Sequence, residues 1–402
     1  MSQSLAAVAP SALRPLKTTY RIGSIDLLRG LVMIIMALDH TRDYFHSSAQ
    51  LYDPLDLSQT STPIFLTRWI THFCAPVFMF LAGTSAFLVG QRKSKKQLSF
   101  FLFTRGLWLM LLELTVVYFG WSFNIHFPVS ALITIWALGF SMVALSIFVH
   151  LPYKIILAIG ILIVAGHNLL DNFHVPGNNL KAFIWDELHD PRPINFYGHL
   201  IITGYPVLSW IGIIALGYCF GAFYKKDFSA AKRKKCLLWI GSSAIILFII
   251  LRATSIYGDQ QLWSLQQTGV FTFLSFINVT KYPPSLLYTL ITLGPAIIFL
   301  AFAEKPLNRF TNFISIYGRV PMFYYLLHIY LIHFLAMVAA QLTGFGWNAM
   351  VADIFPEVKG YGFSLAVVYL IWIGVVLALY PLCKWYDKYK SRHKEKWWLS
   401  YL

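Results

Sequence analysis

Apolar runs of about 20 residues recur along the whole chain, and each is long enough to cross the roughly 30 Å hydrocarbon core of a bilayer as a helix rising 1.5 Å per residue. Within lipid, every backbone N–H and C=O must find its partner inside a helix or a closed barrel. Strand-period alternation is absent, which argues against a barrel and leaves helices. Composition agrees, since hydrophobic residues make up 57% and charged residues only 12% of the 402. The expected fold is all-α: a polytopic transmembrane helix bundle of about ten spans, near 24–44, 67–90, 99–121, 129–149, 152–170, 204–223, 236–256, 284–303, 315–341 and 362–383. One membrane domain then covers residues 22–383, between a cytoplasmic segment 1–21 and a basic cytoplasmic tail 384–402.

The net charge of +15 raises nucleic acid as a partner, but the cations sit in short loops between apolar runs. Arg14, Lys17, Arg21, Arg92, Lys93, Lys95, Lys96, Lys154, Lys225, Lys226, the run Lys232 to Lys235, Lys305, Arg309 and the tail's Lys384, Lys388, Lys390, Arg392, Lys394 and Lys396 fall on one side. Arg68, Lys181, Arg192, Lys281 and Lys359 fall on the other. About 22 against 5 is the asymmetry of cytoplasmic loops, so both termini are placed in the cytoplasm, the basic loops meet membrane lipid, and nucleic acid is not expected. The longer loops, 45–66, 171–203, 257–283 and 342–361, face outward and are rich in Asp, His, Trp, Tyr and Pro, as a binding surface would be. The first apolar run carries its own charges behind about 20 polar and basic residues, so it reads as a span and not as a cleaved signal. Cys74, Cys219, Cys236 and Cys383 are scattered without a CxxC and read as packing residues.

Ionisable groups inside spans are costly and mark candidate sites. The first span holds the densest set. Ser24 and Asp26 suit a helix start. Arg29, Met36, His40 and Asp43 fall within about 40° of one line down the helix, with Arg29 and His40 about 16 Å apart along the axis. Such a stripe faces a polar cavity or a partner helix, and a structural ion-pair network is the plain alternative. His72, His167, Asn168, Asp171, Arg252, His328 and His333 add polar groups towards the same level as His40. Glu113 is the one glutamate inside a span, with Arg105 two turns before it. HxxxD at 167–171 is a poor zinc pattern, no HExxH, Walker or dinucleotide motif occurs, and no metal is expected.

The segments Ser24-Ile25-Asp26-Leu27-Leu28-Arg29-Gly30 and Leu38-Asp39-His40-Thr41-Arg42-Asp43 resemble the opening helix of bacterial membrane proteins related to heparan-alpha-glucosaminide N-acetyltransferase. The likeness continues through Thr71-His72-Phe73-Cys74-Ala75-Pro76-Val77-Phe78, Leu81-Ala82-Gly83-Thr84-Ser85, Gly166-His167-Asn168-Leu169-Leu170-Asp171, Thr280-Lys281-Tyr282-Pro283-Pro284-Ser285 and Gly318-Arg319-Val320-Pro321. The spacing from Arg29 to His40 also resembles the first helix of the acyltransferase 3 family. The resemblance implies an acyl-CoA donor, acetyl-CoA foremost, bound from the cytoplasmic side, and a glycan or other small-molecule acceptor acylated at a sugar hydroxyl or amine outside. It implies location in a bacterial cytoplasmic (inner) membrane. The stretch 50–65 holds no histidine, so the histidine that the lysosomal relative places there is not carried over. His40 takes the catalytic role through the acyltransferase 3 spacing, oriented by Asp39 or Asp43, with His72 as the spare base. Arg29 and Arg105 are assigned to the donor, and His167, Asn168, Asp171, Lys281 and Tyr282 to the acceptor. A proton-linked transporter or permease using intramembrane His and Asp is the alternative, and the lack of an internal repeat counts against it.

Overall fold

The computed structural model describes residues 22–49 and 51–400. The expected segment 1–21, with Arg14, Lys17 and Arg21, lies outside the described residues. The chain forms an all-α polytopic bundle. In order, the helices are α1 (Gly23–Phe45), α2 (Thr62–Ile70), α3 (Cys74–Gly90), α4 (Lys95–Leu112), α5 (Tyr118–Ser122), α6 (Thr134–Phe148), α7 (Tyr153–Gly166) and α8 (Leu180–Leu188). They continue with α9 (Val207–Phe220), α10 (Ala230–Thr254), α11 (Gly269–Ile277), α12 (Leu286–Phe302), α13 (Arg309–Arg319), α14 (Pro321–Leu342) and α15 (Leu365–Arg392). Seven helical stretches among the described residues are long and apolar enough to cross a membrane, and Thr134–Phe148 and Leu286–Phe302 are shorter apolar helices. The protein is therefore an integral membrane protein. The helix α1 is as long as these but carries Asp26, Arg29, Asp39, Arg42 and Asp43, and it packs at the centre of the bundle against α3, α13, α14 and α15.

Capping residues set many helix starts. Ser94 and Gln97 form a capping box at α4, Asn308 and Thr311 another at α13, and Ser229 and Ser285 accept from the N–H groups of Lys232 and Tyr288 in the first turns of α10 and α12. Glycines then let the helices approach closely. A Cβ on Gly30 would lie 2.0 Å from the Ile314 carbonyl oxygen and one on Gly318 1.9 Å from that of Asp26, so α1 and α13 touch backbone to backbone.

Four elements depart from the sequence reading. The second expected span breaks into α2, a 3₁₀ turn Thr71–Phe73 and α3. Pro76 has no N–H for the His72 carbonyl, and the Tyr288 hydroxyl donates to that oxygen instead, at 2.8 Å. The ninth expected span, 315–341, is two helices, because Pro321 disfavours helical geometry at Val320 and opens α14. The fourth was expected to start at 129, yet β1 (Val129–Leu132) is a strand, parallel to β3 (His199–Thr203), which pairs antiparallel with β2 (Pro193–Phe196). Its partner lies about 70 residues away, so four residues alone carried no legible signal. The last helix also runs to Arg392, well into the tail expected to start at 384.

Candidate functional site

Three voids lie end to end along α1 and share walls. The first, about 420 Å³, is lined mostly by apolar side chains of α1, α3, α4 and α6, with Arg29, Arg105, Arg319 and Lys390 among them. The second, about 660 Å³, is the more polar of the two large voids: Asp39, His40, Arg42, Asp43, Arg68, Glu113, Tyr205, Lys281 and Tyr282 line it together with apolar side chains and residues of the small sheet. Between them is a junction of about 60 Å³ that shares Met36, Phe78 and Tyr325 with the first and Asp39, His40, Trp121 and Lys281 with the second. The stripe of Arg29, Met36, His40 and Asp43 is thus the α1 wall of these adjoining voids, met in that order.

His40 stands at the junction. Its Nδ1 lies 2.7 Å from Nε2 of His328 on α14. The other nitrogen of His328, Nδ1, is 2.9 Å from the Tyr324 carbonyl oxygen, which can only accept. His328 therefore carries its proton on Nδ1 and presents a bare Nε2 to His40, which must donate. His40 is left with its proton on Nδ1 and an acceptor lone pair on Nε2, the form a general base needs. The indole of Trp121, 4.6 Å away and edge-on, fixes the ring plane.

The carboxylates expected to orient His40 do something else. Asp39 accepts from Arg68 at 2.6 Å and pairs with Arg42 at 3.0 Å, and Asp43 also pairs with Arg42. The result is a charge network beside His40, while His328 holds the His40 ring through its Nδ1. Glu113 leaves the α-helical register in a π-helical turn, Glu113–Val117, and its Oε2 accepts from the N–H groups of Ile135 and Trp136 at 2.6 and 3.0 Å, capping α6.

The catalytic-domain family model for heparan-alpha-glucosaminide N-acetyltransferase matches residues 21–256. The chain belongs to this family. No curated protein matches it. The match covers α1 to α10 and so includes the whole Arg29–His40 wall, Arg68, Arg105 and Glu113. His328 and Lys281 come from the part beyond it. A heparan-alpha-glucosaminide N-acetyltransferase-like chain is a membrane acetyltransferase by family.

The remaining expected residues divide. Lys281 and Tyr282 do line the polar chamber. Arg105 and Arg29 line the apolar one, although Arg29 also donates to Ser85 Oγ at 2.8 Å and to the Gly318 carbonyl at 3.2 Å, locking α1 to α3 and α13. His72 is buried in the turn before α3, packs edge-on against Tyr288 and borders none of the three voids, so it is not placed to act as a spare base. His167, Asn168 and Asp171 border none of them either. His167 Nε2 lies 2.9 Å from the Pro284 carbonyl, Asn168 Oδ1 accepts from Leu286 N–H at 2.9 Å, and Asp171 pairs with His189 at 3.0 Å. His167 and Asn168 hold the loop that carries Lys281, and Asp171 is tied to His189, instead of lining the chamber. Arg252 donates to the carbonyls of Phe276 and Ser275 and caps the end of α11. Sequence reasoning missed Arg42, Tyr205 and Trp121 as wall residues. For Arg68 a signal existed, as it is a cation on the side nearly devoid of them.

Proposed function

We propose that this protein transfers an acetyl group from acetyl-CoA, entering from the cytoplasm at the Arg29 end, to a sugar hydroxyl or amine that enters the polar chamber from outside. The observation that carries the proposal is the row of three adjoining voids along α1, with His40 lining both the small middle one and the polar chamber. The apolar first void suits the acyl and pantetheine part of a thioester, and Arg105, Arg319 and Lys390 suit its phosphates. The polar chamber suits a hydroxylated acceptor. His40 Nε2 takes the acceptor proton as the nucleophile attacks the thioester, and returns it to the departing thiolate. The small junction limits water at the thioester.

Acetyl-CoA should raise the melting temperature of the full chain in detergent. Mass action gives about 2.7 kcal/mol of stabilisation at a hundredfold excess over the dissociation constant. Arg105→Ala should reduce the shift. The same protein incubated with acetyl-CoA and an amino sugar should release free CoA thiol. An unchanged melting temperature at millimolar acetyl-CoA would defeat the donor assignment. A row of voids lined by intramembrane His and Asp also suits a proton-linked permease. Substrate-dependent proton uptake into liposomes, without thiol release, is the result that reading requires.

Sidedness rests on the cation asymmetry, in a bacterial cytoplasmic membrane with both termini inside. Reporter fusions at Lys93, Arg233 and the C-terminal tail should read cytoplasmic. Those at Asp56, Trp185 and Gln266 should read extracytoplasmic, and a cytoplasmic signal at Trp185 would reverse the proposed entry of donor and acceptor.

A further inference from the structure

We propose that Lys281 is a catalytic residue that holds the oxyanion formed during transfer, a proposal resting on the acetyltransferase reading above. The chamber contains four cations, and three of them are matched. Arg42 pairs with Asp39 and Asp43, Arg68 with Asp39, and Arg192 with Asp186 at 2.9 Å. The chamber's remaining carboxylate, Glu113, is taken up by backbone N–H groups. Lys281 has no carboxylate within 4.0 Å among the described residues, although it is only 9% exposed. Its Nζ lies 5.0 and 5.8 Å from the ring centroids of Tyr282 and Tyr205, and it also hydrogen-bonds the neutral Tyr282 hydroxyl.

A buried ammonium without a counter-ion is costly unless an anion joins it. Lys281 lines the junction together with His40, where a thioester carbonyl and an acceptor meet. Its loop is pinned at several points. Asp259 accepts from the Thr280 N–H and hydroxyl and from the Ser285 hydroxyl at 2.7 to 2.9 Å, and His167 and Asn168 hold Pro284 and Leu286. A cation fixed before the reaction at the place where negative charge develops stabilises the transition state without reorganisation.

The step balances. The acceptor heteroatom bonds to the thioester carbon as His40 Nε2 takes its proton, and the carbonyl π pair moves to oxygen beside the Lys281 ammonium. The pair returns, the C–S bond breaks, and the thiolate takes the proton from His40. The products are acetylated acceptor and CoA.

The test uses the full chain in detergent with acetyl-CoA and glucosamine, reading thiol release and N-acetylglucosamine. Lys281→Met should lower kcat by about 10²–10³ with little change in KM for glucosamine, and Lys281→Arg should recover part of the rate. The melting shift with acetyl-CoA should persist in Lys281→Met. Lys281→Gln is run beside it, so that a folding defect in one variant does not decide the result. A raised KM at unchanged kcat would make Lys281 an acceptor-binding residue only, and near wild-type turnover in Lys281→Met would leave it no role; either overturns this proposal alone. No thiol release by the wild-type protein, with glucosamine or with water, overturns the acetyltransferase reading and this one with it.

Discussion

His40→Ala should abolish acetyl transfer, with a loss of about 10²–10⁴ in kcat, while the melting temperature of the apo protein stays close to that of the wild type. The size follows from its position. His40 lines both the junction and the polar chamber, and its Nδ1 is committed to His328, leaving Nε2 as the basic nitrogen. His328→Phe should cost less than His40→Ala, because the imidazole remains but loses the acceptor that fixes its tautomer. His328→Gln, with an amide oxygen able to accept from Nδ1, should recover part of that loss. His72→Ala is the control, since its ring borders none of the voids. A His40→Ala protein that turns over normally while His72→Ala is dead would remove His40 from the chemistry.

Much of the wall is legible in the sequence. A helix repeats every 3.6 residues, so the alignment of Arg29, Met36, His40 and Asp43 follows from spacing on one element. The partner of His40 was not legible. His328 is 288 positions away, and which face of α14 meets α1 depends on close glycine contacts and on the break at Pro321. The roles of His167, Asn168 and Asp171 were misread for a related reason. The sequence places them at the same level as the site, but level along the membrane normal says nothing about azimuth around the bundle: His167 and Asn168 turn towards the Pro284–Leu286 backbone and Asp171 towards His189. His72 was misread because the consequence of Pro76 lies four residues upstream, in the carbonyl it leaves unpaired.

Asp39 separates a structural role from a catalytic one most sharply. Its carboxylate is the shared partner of Arg68 and Arg42, whose side chains are 14% and 4% exposed. Removing one member of a buried ion pair leaves an uncompensated charge and typically costs about 3–5 kcal/mol. Asp39→Ala should therefore lower the melting temperature in detergent by more than any other substitution discussed for α1, with Arg42 left to Asp43 and Arg68 left to the Thr71 hydroxyl at 3.1 Å. The cost lies in the stranded cation and not in a lost contact as such. Asp39→Ala combined with Arg68→Met should accordingly recover part of the stability, with a coupling well outside additivity. A catalytic carboxylate would behave differently, leaving stability nearly intact while the rate collapsed, and Arg68→Met would restore nothing. Asp39→Ala with an unchanged melting temperature would show that solvent in the chamber already screens the two arginines, and the network beside His40 would then contribute little to holding α1 in place.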